Sequence, residues 1–144
     1  MRYHILQISL TNAEVDLLNE KGHDAVPRYA RHLNVTIHDK FGDILIHDYD
    51  HVADIEADSL AEVVDLGNAD IDRYNHPQIN IVIDNPEQGL AGISEGDIII
   101  NSKTLKCYYD TGYKFVELVV RPEELEGLLF SSPTSKAIIM QEVA

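Results

Sequence analysis

Asp97-Ile98-Ile99-Ile100-Asn101, Leu105-Lys106-Cys107-Tyr108-Tyr109 and Tyr113-Lys114-Phe115-Val116-Glu117-Leu118-Val119-Val120 follow one another with only Ser102-Lys103-Thr104 and Asp110-Thr111-Gly112 between them. Runs rich in β-branched and aromatic residues, bounded by turn residues, read as strands. Loops this short join antiparallel neighbours, because a parallel crossover needs a dozen residues or more. Residues 96–120 therefore predict a three-stranded meander, and the rest of the chain is read around it.

Downstream, Pro122 suits the first turn of a helix, where its missing N–H has no partner to lose. Glu123 and Glu124 favour the positive helix end, and Leu125, Leu128 and Leu129 make its apolar side. Ser131-Ser132-Pro133-Thr134-Ser135 reads as a linker, and residues 136–143 as an edge strand or a partner-binding tail. Upstream, residues 78–83 alternate apolar and polar positions like a half-buried strand, and Asn85-Pro86 with Gly89, Gly92 and Gly96 marks a loop.

At the start of the chain, residues 3–10 predict a strand. Thr11-Asn12-Ala13-Glu14 then forms a capping box that opens a helix, ended by Gly22. Pro27 opens a second helix through Leu33, after which residues 34–38 and 43–47, on either side of Asp39-Lys40-Phe41-Gly42, predict a β-hairpin. Residues 51–56 read as a strand, and Asp58 or Ser59 caps a short helix that carries Leu60, Val63 and Val64 and stops at Gly67-Asn68. The expected class is α+β: a mainly antiparallel sheet with two or three short helices packed on one side, a single domain over 1–130, then linker and tail over 131–144.

The 144 residues carry 25 Asp+Glu against 11 Lys+Arg, a formal net of −14, and 44% are hydrophobic. Such a chain is too apolar to be wholly disordered. The single Cys107 excludes an internal disulfide scaffold, and no apolar run approaches the ~18 residues of a membrane span. Met1-Arg2-Tyr3-His4 does not open like a signal peptide, so a cytoplasmic location is expected. Acidity opposes direct contact with nucleic acid or an anionic membrane. The excess is also local, because residues 39–72 hold eleven acids and one base, Lys40. Asp48, Asp50, Asp54, Glu56, Asp58, Glu62 and Asp65, with Asp70 and Asp72 beyond them, are candidates for an acidic surface that binds a basic or nucleic-acid-binding protein. A solvated face that only keeps the chain soluble is the alternative.

His47-Asp48-Tyr49-Asp50-His51 gathers metal-ligating residue types and supports a second reading, a metal-dependent hydrolase using His47, Asp48, Asp50 and His51. On a strand, His47 and His51 would stand about 13 Å apart, four residues at ~3.3 Å, too far to share one ion. No metal or other cofactor is therefore expected. Cys107 shares a strand face with Leu105 and Tyr109 and reads as a buried, inert thiol. Ser94, Ser131, Ser132 and Ser135 lie in turn or linker contexts without a nucleophile elbow, and Gly89, Gly92 and Gly96 do not make a phosphate loop. No catalytic residue is nominated, and a protein that is not an enzyme is expected. A homo-oligomer through an open sheet edge is compatible with this plan.

Three blocks in order resemble the YodL-like proteins of phages and other mobile elements: Leu60-Ala61-Glu62-Val63 running to Gly67-Asn68, Ser94-Glu95-Gly96-Asp97-Ile98, and Tyr108-Tyr109-Asp110-Thr111-Gly112-Tyr113. Order and spacing agree over roughly half of the chain, and the opening Tyr3-His4-Ile5-Leu6-Gln7 is similar too. Tyr113 stands where that family usually has Phe, Gly92 where it often has Ser, and the His/Asp-rich middle is not a family hallmark. The resemblance implies a small accessory protein that acts by binding a host or phage protein, and it carries over no catalytic residue.

Overall fold

The computed structural model describes residues 1–69, 75–82 and 92–131. In chain order these form β1 (Arg2–Gln7), α1 (Asn12–Lys21), α2 (Pro27–His38), β2 (Asp50–Glu56), α3 (Leu60–Asn68), β3 (Ile79–Ile81), β4 (Ile98–Asn101), β5 (Cys107–Asp110), β6 (Phe115–Leu118) and α4 (Pro122–Ser131). The strands make one antiparallel sheet in the order β3-β2-β1-β4-β5-β6. The α+β class and the meander over β4, β5 and β6 agree with the sequence. The end of the expected 78–83 strand at Ile83, the Asn85-Pro86 and Gly89 loop, the 132–144 tail, Asp70 and Asp72 lie outside the described residues.

Ile98, Ile99 and Ile100 are all 0% exposed, and successive residues of a strand point to opposite faces, so β4 is buried on both sides. The same holds for Ile5 and Leu6 on β1, which pair with Ile99 and Ile98. Helices are therefore needed on both faces, a correction to the expectation of helices on one side. Leu60, Val64 and Leu66 of α3 pack over Tyr3, Ile5, Ala53, Ile55 and Ile99. On the opposite face Val35 of α2, Leu125 and Leu128 of α4, Ile46 and Tyr49 cover Leu6, Ile98, Ile100, Cys107 and Tyr109.

Local chemistry sets the helix ends. Thr11 and Glu14 form the reciprocal capping box of α1, and the Ser59 hydroxyl accepts from the Glu62 N–H at the start of α3. The expected hairpin over 34–47 does not form. Residues 34–38 continue α2, Asp39 ends it in the left-handed region with φ 54°, and 3-10 turns follow at Phe41–Asp43 and Ile46–Asp48. Tyr29, His32, Val35 and Thr36 recur at helical spacing and are the less exposed side of α2. That stripe outweighs the β preference of Val35-Thr36-Ile37, leaving Ile37 exposed.

β2 contains one irregularity that positions chemistry. Ile5 pairs with Ala53, yet Leu6 pairs with His51, so Val52 is an extra residue opposite β1. Val52 and Ala53 both enter the core beneath α3. The parity of β2 is thereby reversed, and His51 faces the same way as Asp54.

Gly96 sits at φ +94°, and a Cβ there would land on the His32 ring. Gly42 has open space around it and no positive φ. Gly96→Ala is therefore expected to cost about 2–3 kcal/mol in urea unfolding, from backbone strain and the clash, while Gly42→Ala stays within about 0.5 kcal/mol. Equal stabilities of the two variants would contradict the packing of α2 on this turn.

Candidate functional site

The four residues of the His/Asp run part company in the fold. His47 lies exposed on its 3-10 turn. Arg31 on α2 grips Asp48 through both carboxylate oxygens, at 2.8 and 2.6 Å. Three residues earlier on α2, Arg28 makes five hydrogen bonds: to both oxygens of Glu14, to Asp50 Oδ2, and to the carbonyls of Ser9 and Asp48. Asp50 Oδ2 also accepts from the Ser9 N–H at 3.0 Å. Asp48 and Asp50 thus join α2 to the sheet, as half-buried charges with fixed partners do, and neither stands in an open acidic face.

His51 is turned elsewhere. With the parity of β2 reversed by Val52, its Nε2 lies 2.7 Å from Asp54 Oδ1, and His4 Nδ1 on β1 lies 2.6 Å from that same oxygen. His4 is directly opposite Asp54 in the antiparallel register. A carboxylate only accepts, so each imidazole donates an N–H to it. Burial alone would raise the pKa of Asp54; the two N–H donors and the positive charge of the histidines outweigh it and hold the group well below the usual carboxylate range. The two rings meet edge to face with centroids 4.9 Å apart. Histidine 4 is the residue that sequence reasoning missed. Its signal was a polar residue interrupting an apolar strand, Tyr3-His4-Ile5-Leu6, which becomes informative only once strand pairing is known.

A second polar locus borders an open cavity of about 340 Å³ between the end of β1, α1, α2 and the loop before β4. Asp97 is buried there, and its Oδ2 accepts from the Ser94 N–H at 2.9 Å and the Gln7 amide at 3.1 Å. Burial pushes its carboxyl up to about 7, against these two hydrogen bonds and with help from the charge of Asp110. His32 is shifted the other way, downward, by its own burial, with the charge of Glu95 opposing. Tyr49 donates its hydroxyl to the Gly96 carbonyl at 2.9 Å, closing the turn that holds Asp97. The bonds of Asp97 are those of a turn-forming aspartate, and they fix the Ser94-Glu95-Gly96-Asp97 block in place. Cys107, buried on β5, has its thiol pushed up to about 11 by desolvation, the behaviour of an unreactive core thiol.

The remaining acids face solvent. Glu56 meets the chain's amino group at 3.4 Å and Arg2 at 3.4 Å, all well exposed. Glu62 accepts from the Asp58 N–H and from Gln78. Asp65, on α3, borders a shallow groove with Ala61 and Val64, closed on its other side by Gly112, Tyr113, Lys114 and Phe115 of the β5–β6 connection.

Asp97 gives a pH test. Its proton is retained to about pH 7 in the folded chain but leaves near the ordinary value of 3.8 once unfolded, so between these limits the native state binds more protons and stability falls as pH rises. Urea unfolding should therefore show a loss on the order of 2 kcal/mol from pH 5 to pH 8. Asp97→Asn, which keeps the acceptor oxygen, should flatten that dependence; an undiminished pH slope in the variant would assign it to other groups.

Comparison of the chain with protein-family models, with curated proteins and with solved structures gives no match.

Proposed function

We propose that this protein acts by binding another protein, and that its contact surface is the acid-bordered groove between α3 and the β5–β6 connection. The observation that carries the reading is Tyr113, a large aromatic side chain left 82% exposed at the groove's edge. Tyrosine offers contact area and a polar tip at little entropic cost, and it is enriched among the residues that dominate binding energy. Beside it Phe115 and Val64 are half-buried, Asp65 and Asp110 outnumber Lys114 in the groove's lining, and Asp58 and Glu62 add negative charge at the start of the neighbouring helix.

The partner that fits is a basic protein segment presenting an apolar side chain to the groove. This narrows the acidic surface to Glu56, Asp58, Glu62 and Asp65, because Asp48, Asp50 and Asp54 already have cationic or imidazole partners inside the fold. The resemblance of the α3 and Gly96-Asp97 blocks to YodL-like accessory proteins supports the same reading, with a host or phage protein as partner and the cytoplasm as the place of action. No helix among the described residues is long and apolar enough to cross a membrane.

The test is retention of partners from a bacterial lysate on immobilised protein, followed by affinity measurement with the purified partner. Tyr113→Ala and Asp65→Lys are each expected to weaken binding by about tenfold or more, with melting temperatures unchanged. Asp16→Lys, an exposed charge on α1, should leave it intact. A partner held equally by all three variants would remove the groove from consideration.

A further inference from the structure

We infer that His4, Asp54 and His51 form a binding site for a divalent transition-metal ion of the zinc type, independent of the protein-binding groove. His4 Nδ1, His51 Nε2 and a carboxylate oxygen of Asp54 all lie within 4.8 Å of one another. Two imidazoles and one carboxylate suit zinc and its borderline neighbours in the first transition row, whereas magnesium and calcium call for oxygen ligands throughout. Three protein ligands leave a tetrahedral ion one open position.

The sheet builds this site from rigid parts. Asp54 and His4 are paired across β2 and β1, two interior strands of the sheet, and the extra residue Val52 rotates His51 onto their face. On one side His4 is backed by Ile100, its partner on β4, and His51 by Leu6, both 0% exposed. On the other side Asp54 pairs with Asn80 of β3, the edge strand, and Asn80 is exposed. His4 and Asp54 each keep 15% of their side-chain surface open to solvent, which gives an ion access, while the apolar backing strengthens its attraction to the carboxylate.

A second observation, the crowding at Asp54, points to a cation. His51 is only 3% exposed, so packing holds its ring with Nε2 toward Asp54. Without an ion, two imidazole N–H groups crowd a single oxygen, at 2.6 and 2.7 Å. Coordination would replace those two bonds by separate contacts of ~2.0–2.2 Å to one centre. Each neutral imidazole would then carry its proton on the nitrogen that does not ligate.

Binding is tested on the full chain after removal of metals with a chelator, using zinc chloride alone and competition against a chromogenic chelator. One zinc per chain is expected. His4→Gln and His51→Gln should each weaken the affinity by about 100-fold or more, since even residues that only support a ligand change metal affinity 10–100-fold. His47→Ala, at an exposed histidine outside the cluster, should leave affinity and stoichiometry unchanged. Because His51 is buried and its variant can lose the fold, His4→Gln is paired with a readout on the unaltered chain: cobalt(II) should give the visible absorption of a tetrahedral centre, and zinc should shift the imidazole nitrogen resonances of His4 and His51. Failure of the unaltered chain to take up zinc near one to one overturns the proposal. So does uptake that survives His4→Gln, or that is abolished by His47→Ala.

Discussion

Ile5 and Leu6 on β1, and Ile98, Ile99 and Ile100 on β4, leave at most 1% of their surface to water, and they alternate between the two faces of one sheet. Strands that are apolar on both sides must be covered on both sides. Everything else in the architecture answers that constraint. The helix α3 closes one face; α2, α4 and the 3-10 turn carrying Ile46 close the other. Fully burying an isoleucine is worth on the order of 1.5–3 kcal/mol, so this central group contributes substantially to the stability of the sheet.

Covering the second face explains where part of the chain's negative charge is spent. The helix α2 carries Arg28 and Arg31 one turn apart, and they meet Asp48, Asp50 and Glu14. These carboxylates hold a cationic helix against the sheet. Asp54 has a different role, since it accepts one N–H from each of two histidines and remains ionised despite burial because of them. Among the described residues, the exterior keeps Asp39 and Asp43 and the run on the end of β2 and on α3, next to Tyr113. The described acids of this third thus fall into three structural settings: clamps for α2, the anion of a histidine cluster, and solvent-facing carboxylates.

The histidine cluster depends on a single extra residue. In a regular strand, residues three apart point to opposite faces, which would place His51 beneath α3 and Asp54 on the other side. Val52 changes that count by one, and bulges of this kind re-aim side chains elsewhere in sheet proteins too. The same insertion puts Val52 and Ala53 together in the core beneath α3.

Much of the fold was legible in the sequence because its signals are local. The Thr11–Glu14 capping box, Pro27 and Pro122 at helix starts, Ser59 as a cap and the short turns of the meander act over three or four residues, and each appears where the sequence predicts it. The second half of α2 was not legible, because the β preference of Val35-Thr36-Ile37 is overruled by the packing of Val35 against distant strands, on a helix whose earlier turns are anchored through Arg28 and Arg31 to Asp50 and Asp48. The run from His47 to His51 announced ligand chemistry in the sequence but not its partners. Neither the register that sets His4 against Asp54 nor the insertion that turns His51 toward them is encoded by neighbouring residues. Sequence alone determined most of the elements, those with local signals, and the residue types available for chemistry. Tertiary structure decided which of them meet, because pairing of β1 with β2 joins positions fifty residues apart and a one-residue change in that pairing moves every side chain beyond it to the opposite face.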